Sequence, residues 1–489
     1  MNTKNLSRRE FLRVSAMTAG GLAAARFVPS VLSPTAAFAA PRAQDADIVL
    51  EVFSLTEWEA MDRELYDMFE AENPGIKIVT FTHSEPGVPA YKAKLAGGYC
   101  PAMDTAGALN GYIDQNNYQE FINVSEDIPE YPYWDLFLYD AKNAWSQAYG
   151  LPGPRGIGPV MGWVATWMYH KDIVEKPFPG FKRTEIKAWD DLLKFLDEGT
   201  KWAKTRDSGV QFFWDQAWLD PWFADFVMDM IPLAFPDGQN EQQVACWQGK
   251  AKFNGPDSPY RHTYEFFKGA YDKGWLPENF WTRQWEEDME SSFAAKKSVV
   301  MLHGPWPWIK TLSADPTATQ EGMPATPPAA GQAQWKNWRA KADIDNFVNL
   351  YTVRACNKER PPAEWEAIKK LFIWWNSPDV VRMRCENIGQ ESAMKLDPPV
   401  KMTSPQYMGI LKEIATPGGA YEQVQYEYGL PGEFLVAGKR KRGSVGVWER
   451  EGGNMATIWS EMLTGVKTIQ ETLDRAQANW EASYEGLPE

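Results

Sequence analysis

The sequence predicts an α/β fold with a largely parallel sheet, spread over two lobes. Strand and helix patterns alternate along the chain, and its 489 residues exceed the usual size of a single domain. Ile48 to Phe53 alternates β-branched and apolar residues as a strand does. Glu59 to Asn73 follows as a helix, with Met61, Leu65, Met68 and Phe69 on one face, and Asn73-Pro74-Gly75 ends it. Ile76 to Phe81 reads as a second strand and Tyr91 to Gly98 as a second helix. Further helices are predicted over Trp189–Lys204, Tyr260–Lys273, Pro362–Trp375 and Thr468–Glu481. Short strands are predicted over Val210–Trp214 and Ser298–Leu302. Ser313 to Gln334 is rich in Pro, Ala, Thr and Gly and reads as a surface loop.

The first forty residues carry a different pattern. Ser7-Arg8-Arg9-Glu10-Phe11-Leu12-Arg13 resembles a twin-arginine export signal. A weakly apolar run from Val14 to Ala25 follows, then the small-x-small string Ala37-Phe38-Ala39. Residues 1–39 are therefore expected to be a cleaved signal peptide used by the twin-arginine translocase, which carries folded cargo. The mature protein is expected in the periplasm. A membrane span needs about 20 strongly apolar residues, and Arg26 interrupts this run. No Cys follows the apolar stretch, so no lipid anchor is expected.

The whole chain has a net charge of −15. Residues 1–39 hold five basic residues (Lys4, Arg8, Arg9, Arg13, Arg26) and one acid (Glu10), so the mature chain carries about −19. Such a surface disfavours nucleic acid and anionic membrane. The four cysteines, Cys100, Cys246, Cys356 and Cys385, match no metal or haem spacing. Outside the cytoplasm a disulfide is allowed, and Cys356–Cys385 is the preferred pair. The four histidines, His83, His170, His262 and His303, show no zinc-enzyme spacing, and no cofactor or metal is expected. Tryptophans number 24, as many as Phe. Most belong in a core, but the clusters Trp214/Trp218/Trp222, Trp281/Trp285 and Trp306/Trp308 also suit a cleft that stacks on sugar rings.

A series of strings, taken in order, resembles the extracellular solute-binding proteins of ABC importers, family 1, the group that includes maltose-binding protein. Phe69-Glu70-Ala71-Glu72-Asn73-Pro74-Gly75-Ile76-Lys77-Ile78 is similar to the family's first helix-to-strand passage. Lys94 to Asp104 resembles its helix, small-residue loop and Asp. Tyr149-Gly150-Leu151-Pro152 and Trp167-Met168-Tyr169-His170-Lys171-Asp172 resemble "YGLP … YNKD", and Ala188-Trp189-Asp190-Asp191-Leu192 resembles "TWDEL". Phe293 to Met301, followed by Gly304-Pro305-Trp306-Pro307-Trp308, resembles "AFxxGxxAM … GPWAW" and is the most specific piece.

The resemblance implies a two-lobed periplasmic binding protein fold of type II, with ligand in a cleft between lobes joined by hinge crossovers. Lobe 1 is expected over 40–146 plus 346–392 and lobe 2 over 147–345 plus 393–489, with crossovers near Ala144–Ala148, Asp345–Val348 and Gln390–Lys395. It further implies a monomer that captures a carbohydrate and passes it to permease subunits in the inner membrane.

Ligand contacts are carried over residue by residue. Trp306, in the "GPWAW"-like string, is expected to stack on a sugar ring, the alternative being the lobe floor; Trp308 is expected to be structural. Asp220 and Trp222, in Asp220-Pro221-Trp222-Phe223, resemble an acid-Pro-aromatic ligand loop, the alternative being a loop with a capping Asp. Trp448 sits where the family places a late stacking Trp, and Glu57 and Trp58 follow the first strand. Asn110 lies where Ala106-Gly107-Ala108-Leu109-Asn110 replaces the family's aromatic-plus-acid string, which argues against an identical ligand. Trp163 is a further candidate, and Arg155 either holds an acidic sugar or pairs with a surface carboxylate.

The main rival is an exported glycoside hydrolase, which needs two carboxylates about 5–10 Å apart. Glu286-Glu287-Asp288 and Asp190-Asp191 are acid clusters, but both read as solvated helix faces. A redox protein lacks support from any cofactor motif. No catalytic residue is assigned and the protein is expected not to be an enzyme.

Overall fold

The computed structural model describes residues 48–55, 59–83, 88–105, 113, 117–161, 166–219, 227–228, 230–235, 240–247, 250–304, 307, 311, 314–315, 317–324, 326–327, 335–340, 347–388, 390–401, 421–426 and 455–483. The expected export signal lies outside them. Strands in chain order are β1 (Ile48–Leu55), β2 (Ile76–His83), β3 (Met103–Asp104), β4 (Ile157–Met161), β5 (Thr166–His170), β6 (Phe212–Asp215), β7 (Ser298–His303), β8 (Gln320–Pro324), β9 (Trp335–Ala340), β10 (Phe347–Tyr351), β11 (Glu391–Ser392) and β12 (Tyr421–Tyr426). The helices used below are α1 (Glu59–Glu72), α2 (Val88–Ala96), α3 (Trp189–Ala203), α4 (Tyr260–Asp272), α5 (Pro362–Trp375), α6 (Pro378–Ile388), α7 (Met455–Leu463) and α8 (Ile469–Ser483). No described helix is long and apolar enough to cross a membrane.

The opening β-α-β-α pattern builds a parallel sheet in the order β2-β1-β3. Alternation along β1 covers both faces of this sheet. Leu50 and Val52 join the buried cluster that holds Leu65, Tyr66 and Phe69 of α1. Phe53 faces the other way and stacks on Tyr91 of α2, with ring centroids 3.7 Å apart. A parallel sheet covered on both sides is the arrangement its crossover helices produce. Met68, expected on the buried face of α1, is instead exposed, and Tyr66 fills that place beneath Trp375.

The second sheet runs β6-β7-β5-β8 and is mixed rather than parallel: β6 and β7 are parallel, and β5 is antiparallel to both β7 and β8. Strand β8 falls inside the stretch expected to be loop. Its Gln-Glu-Gly-Met-Pro sequence has no apolar alternation, because it is an edge strand held by pairing to β5 and by Glu321, which binds Tyr169 and Lys171. The helix α3 lies so close to β6 that a Cβ at Gly199 would stand 2.2 Å from the Phe213 ring. Asp191 accepts from the backbone N–H groups of Lys187 and Ala188 at the start of α3. Burial pushes the His170 imidazole down to about 4, so it sits neutral on Phe293 and donates to that residue's carbonyl.

Between these sheets in the chain's order is a third, β10-β4-β11, with both neighbours antiparallel to β4. Strands β9 and β12 form a separate parallel pair. One core cluster gathers Leu50, Ile157, Val160, Tyr351, Phe372 and Met394. Another gathers Trp167, Trp214, Phe267, Met323, Trp459 and Leu473. Ile157, Val160 and Met394 pack in the first cluster, with Leu396 and Val400 against it. Strand β4 is held there by β10 and β11.

The expected Cys356–Cys385 bond is not formed. Cys356 pairs with Cys100, with Cα atoms 6.4 Å apart, and Cys385 is buried on α6 outside the disulfide. The turn after β10 is docked on the segment before β3 by three side chains. Arg354 donates to the carbonyls of Leu95 and Tyr99, Asn357 to that of Pro101 and Arg360 to that of Cys100. Sequence spacing cannot show this contact, since the two cysteines are separated by 256 positions. Replacing Cys100 and Cys356 together by Ser is expected to lower the unfolding free energy by about 2–5 kcal/mol, measured by urea denaturation. An unchanged midpoint would show that the bond contributes nothing.

Candidate functional site

Parallel strands deliver the residues that follow them to one edge of a sheet, and ligands of open α/β sheets bind beyond that edge. Glu57 and Trp58 follow the carboxyl end of β1, and Asn110 follows that of β3, in the same parallel sheet. Asp220 and Trp222 follow β6, and Trp306 follows β7, again two parallel neighbours. Trp163 lies in the passage from β4 to β5. All of these, with Trp308 and Trp448, lie outside the described residues. What the structure shows is the framework that leads to them.

In the first sheet Asp104 ends β3 buried, its N–H bonded to the Thr352 carbonyl at 2.9 Å. Thr105 turns back on β1, with both its N–H and its hydroxyl donating to the Phe53 carbonyl. Arg155 is the one candidate side chain among the described residues. It is buried, donates to the carbonyls of Phe121 (3.2 Å) and Pro152, and lies 4.8 Å from the Tyr118 ring centroid. These contacts brace the loop leading into β4. The rings of Trp214 and Trp218 are fully buried, Trp218 packing 4.1 Å from Phe267 and 4.3 Å from Trp459 by ring centroids. Both are core rather than cleft.

The carboxyl edge of the second sheet carries a buried polar group that pattern reasoning missed. Asp215, the last residue of β6, accepts from Arg283 Nη2 at 3.0 Å. His303, the last of β7, lies 3.2 Å from Glu290 through Nε2 and 3.2 Å from the Gly304 carbonyl through Nδ1. It thus braces the residue that opens the Gly304-Pro305-Trp306 string. Glu290 stands on a π-helix, Trp285–Glu290. Trp285, Glu286, Met289 and Glu290 are buried on it, and Glu287 and Asp288 are exposed. The expectation that Glu286 lies on a solvated face is therefore wrong, because it took the whole acid cluster as surface charge, whereas Glu286 shares the buried face with Trp285 and Glu290.

The class of the protein follows from the relatives of the chain. The model of the bacterial extracellular solute-binding proteins matches residues 64–386, more than half of the chain. The chain belongs to this family. The resemblance read from the ordered strings holds at that level. Among solved structures, this solute-binding protein is similar to a chitin oligosaccharide binding protein, with a TM-score of 0.61 and 16% identity over 90% of this chain and 100% of that one. It is similar to maltose-bound T. maritima MalE3, with a TM-score of 0.58 and 14% identity over 89% and 99%. It is also similar to an ABC transporter solute-binding protein from Thermotoga lettingae TMO bound with α-D-tagatose, with a TM-score of 0.61 and 14% identity over 89% and 99%. A comparison with curated protein sequences finds no match. The shared feature is the two-lobed α/β fold.

Burial pushes the Asp215 carboxyl up to about 7, against the pull of Arg283. The unfolded value is about 3.9, so between about 4 and about 7 the folded state binds more protons at this site. The corresponding stability is complete below the unfolded value and is lost as pH rises through the folded one. Urea denaturation at pH 4.5 to 7.5 (about this window) is expected to show Asp215→Asn declining less with rising pH than the parent. Equal slopes would refute the assignment.

Proposed function

We propose that this protein captures a carbohydrate (a sugar, oligosaccharide or polyol) in a cleft between its two lobes and delivers it to permease subunits of an ABC importer. The observation that carries this reading is the match of residues 64–386 to the solute-binding family, and it is supported by the sequence positions of Glu57, Trp58, Asn110, Asp220, Trp222 and Trp306, each of which follows a strand of a parallel pair. The sugars bound by similar proteins, chitin oligosaccharide, maltose and α-D-tagatose, support the ligand class.

The chemistry supports it as well. A Trp face covers the apolar side of a sugar ring and contributes about 1–3 kcal/mol when buried. A carboxylate such as Asp220 accepts two hydroxyl hydrogen bonds. Micromolar capture needs only about 8 kcal/mol net, within reach of two or three rings and several hydrogen bonds without metal or cofactor. We also propose export by the twin-arginine route through residues 1–39, a soluble monomer in the periplasm without a lipid anchor, and no catalytic activity. Trp448 and Trp163 remain in the proposed contact set. Arg155 is proposed to support it from behind through Phe121 and Pro152.

A thermal-shift screen with neutral sugars, polyols and polyamines is expected to raise the melting temperature with sugars or polyols, since ligand at about 100 times Kd adds about 2.7 kcal/mol. A shift with another class alone would overturn the carbohydrate reading, and release of shorter sugars from oligosaccharides would overturn the non-enzymatic one. Trp306→Ala is expected to weaken binding of the stabilising sugar by about tenfold or more, about 1.4 kcal/mol, in calorimetric titration. Unchanged affinity would remove Trp306 from the site.

A further inference from the structure

The first lobe contains an ion pair that the proposed ligand contacts do not use. Asp62, in the first turn of α1, and Arg384, in α6, are both fully buried, with Nη2 3.0 Å from Oδ1. Burying two charges carries a desolvation cost of several kcal/mol per ion, and well-packed apolar side chains of similar volume are often as stable or more so. A buried pair is therefore weak grounds for stability, and its connections are more informative.

Both carboxylate oxygens of Asp62 are engaged. Oδ1 takes the guanidinium, and Oδ2 takes the hydroxyl of Ser54 near the end of β1. Ser54 and Asp62 stand on either side of residues 56–58, so this bond closes across the segment that carries Glu57 and Trp58. The other guanidinium amine donates to the hydroxyl of Tyr351, the last residue of β10. The guanidinium also lies 4.8 Å from the Trp375 ring centroid and 5.1 Å from that of Tyr351. The helix α6 that bears it leads directly to β11. One side chain thus reaches the segment after β1, the end of β10 and the approach to β11, the two strands that flank β4. Charge-assisted hydrogen bonds are short and directional, which apolar packing is not.

We propose that Asp62 and Arg384 are positioning residues: they hold the end of β1 against the first turn of α1, on either side of the segment that carries Glu57 and Trp58, and tie both to the strands that flank β4. The consequence for ligand binding rests on the reading that Glu57 and Trp58 touch the ligand; the positioning itself does not.

The test uses the full-length mature protein and the paired replacement Asp62→Leu with Arg384→Met, which strands no charge. Peptide-level amide hydrogen exchange of residues 55–61 is compared with global stability from urea denaturation. The expected result is exchange at least about tenfold faster in 55–61, with other segments and the urea midpoint nearly unchanged. Exchange in 55–61 that stays at the parent rate, or that changes only in step with global stability, overturns the proposal. Ser54→Ala serves if the paired variant fails to fold, and the same local acceleration is expected and the same unchanged rate refutes it. Titration with maltotriose and chitotriose separates the two readings. Faster local exchange with unchanged affinity for a sugar that binds the parent removes Glu57 and Trp58 from the contact set but leaves the positioning role standing.

Discussion

The pairing of β10 and β11 on either side of β4 is the interaction on which the rest depends. It brings together three segments that are far apart in the chain, 157–161, 347–351 and 391–392. The sheet they form is small. β11 has two residues, and the β10 ladder breaks register twice within five. The residues the sheet gathers, Ile157, Val160, Tyr351 and Met394, lie in one core cluster with Leu50 of β1 and Phe372 of α5. A ladder this short is therefore held by side-chain packing as much as by backbone hydrogen bonds.

Both halves use buried Asp–Arg pairs next to strand ends. Asp215 and Arg283 meet at the end of β6, and Asp62 and Arg384 meet beside the end of β1. Each pair stands where the chain leaves a strand for a segment in the proposed contact set. Electrostatics here supplies direction rather than net stability, and the cores supply the stability. The brace of His303 on Gly304 has the same logic at the end of β7.

Periodicity made the long elements legible. The helix over 189–203 and that over 362–375 stand within a residue of where helical spacing puts them, and β1, β2 and β7 follow from their alternating or continuous apolar runs. Strands without such a signal were not legible. β4 reads Ile-Gly-Pro-Val-Met, β8 lacks alternation and β11 is too short for any period, so their pairing partners rather than their side chains define them. At the site, the ends of β1, β6 and β7, after which candidate contacts follow in sequence, were legible from their apolar runs. The burial of Glu286 and Glu290 was not, because charged residue types read as surface and only tertiary contacts, such as that of Glu290 with His303, place them inside. Nor was the partner of Cys356, which depends on a contact between distant parts of the chain.

That cross-link has a bearing on the order of events in the protein's life. Cys100 and Cys356 are both half-buried, not sealed in the core. The bonds from Arg354, Asn357 and Arg360 align the two backbones without any help from sulfur. The seam can therefore be closed after the tertiary structure is complete, by an oxidant reaching it from outside. A chain folded in a reducing compartment and moved intact to an oxidising one would arrive with its thiols already side by side. Under the proposed export route, that covalent bond would be a record of arrival, made only after the chain has left the cytoplasm.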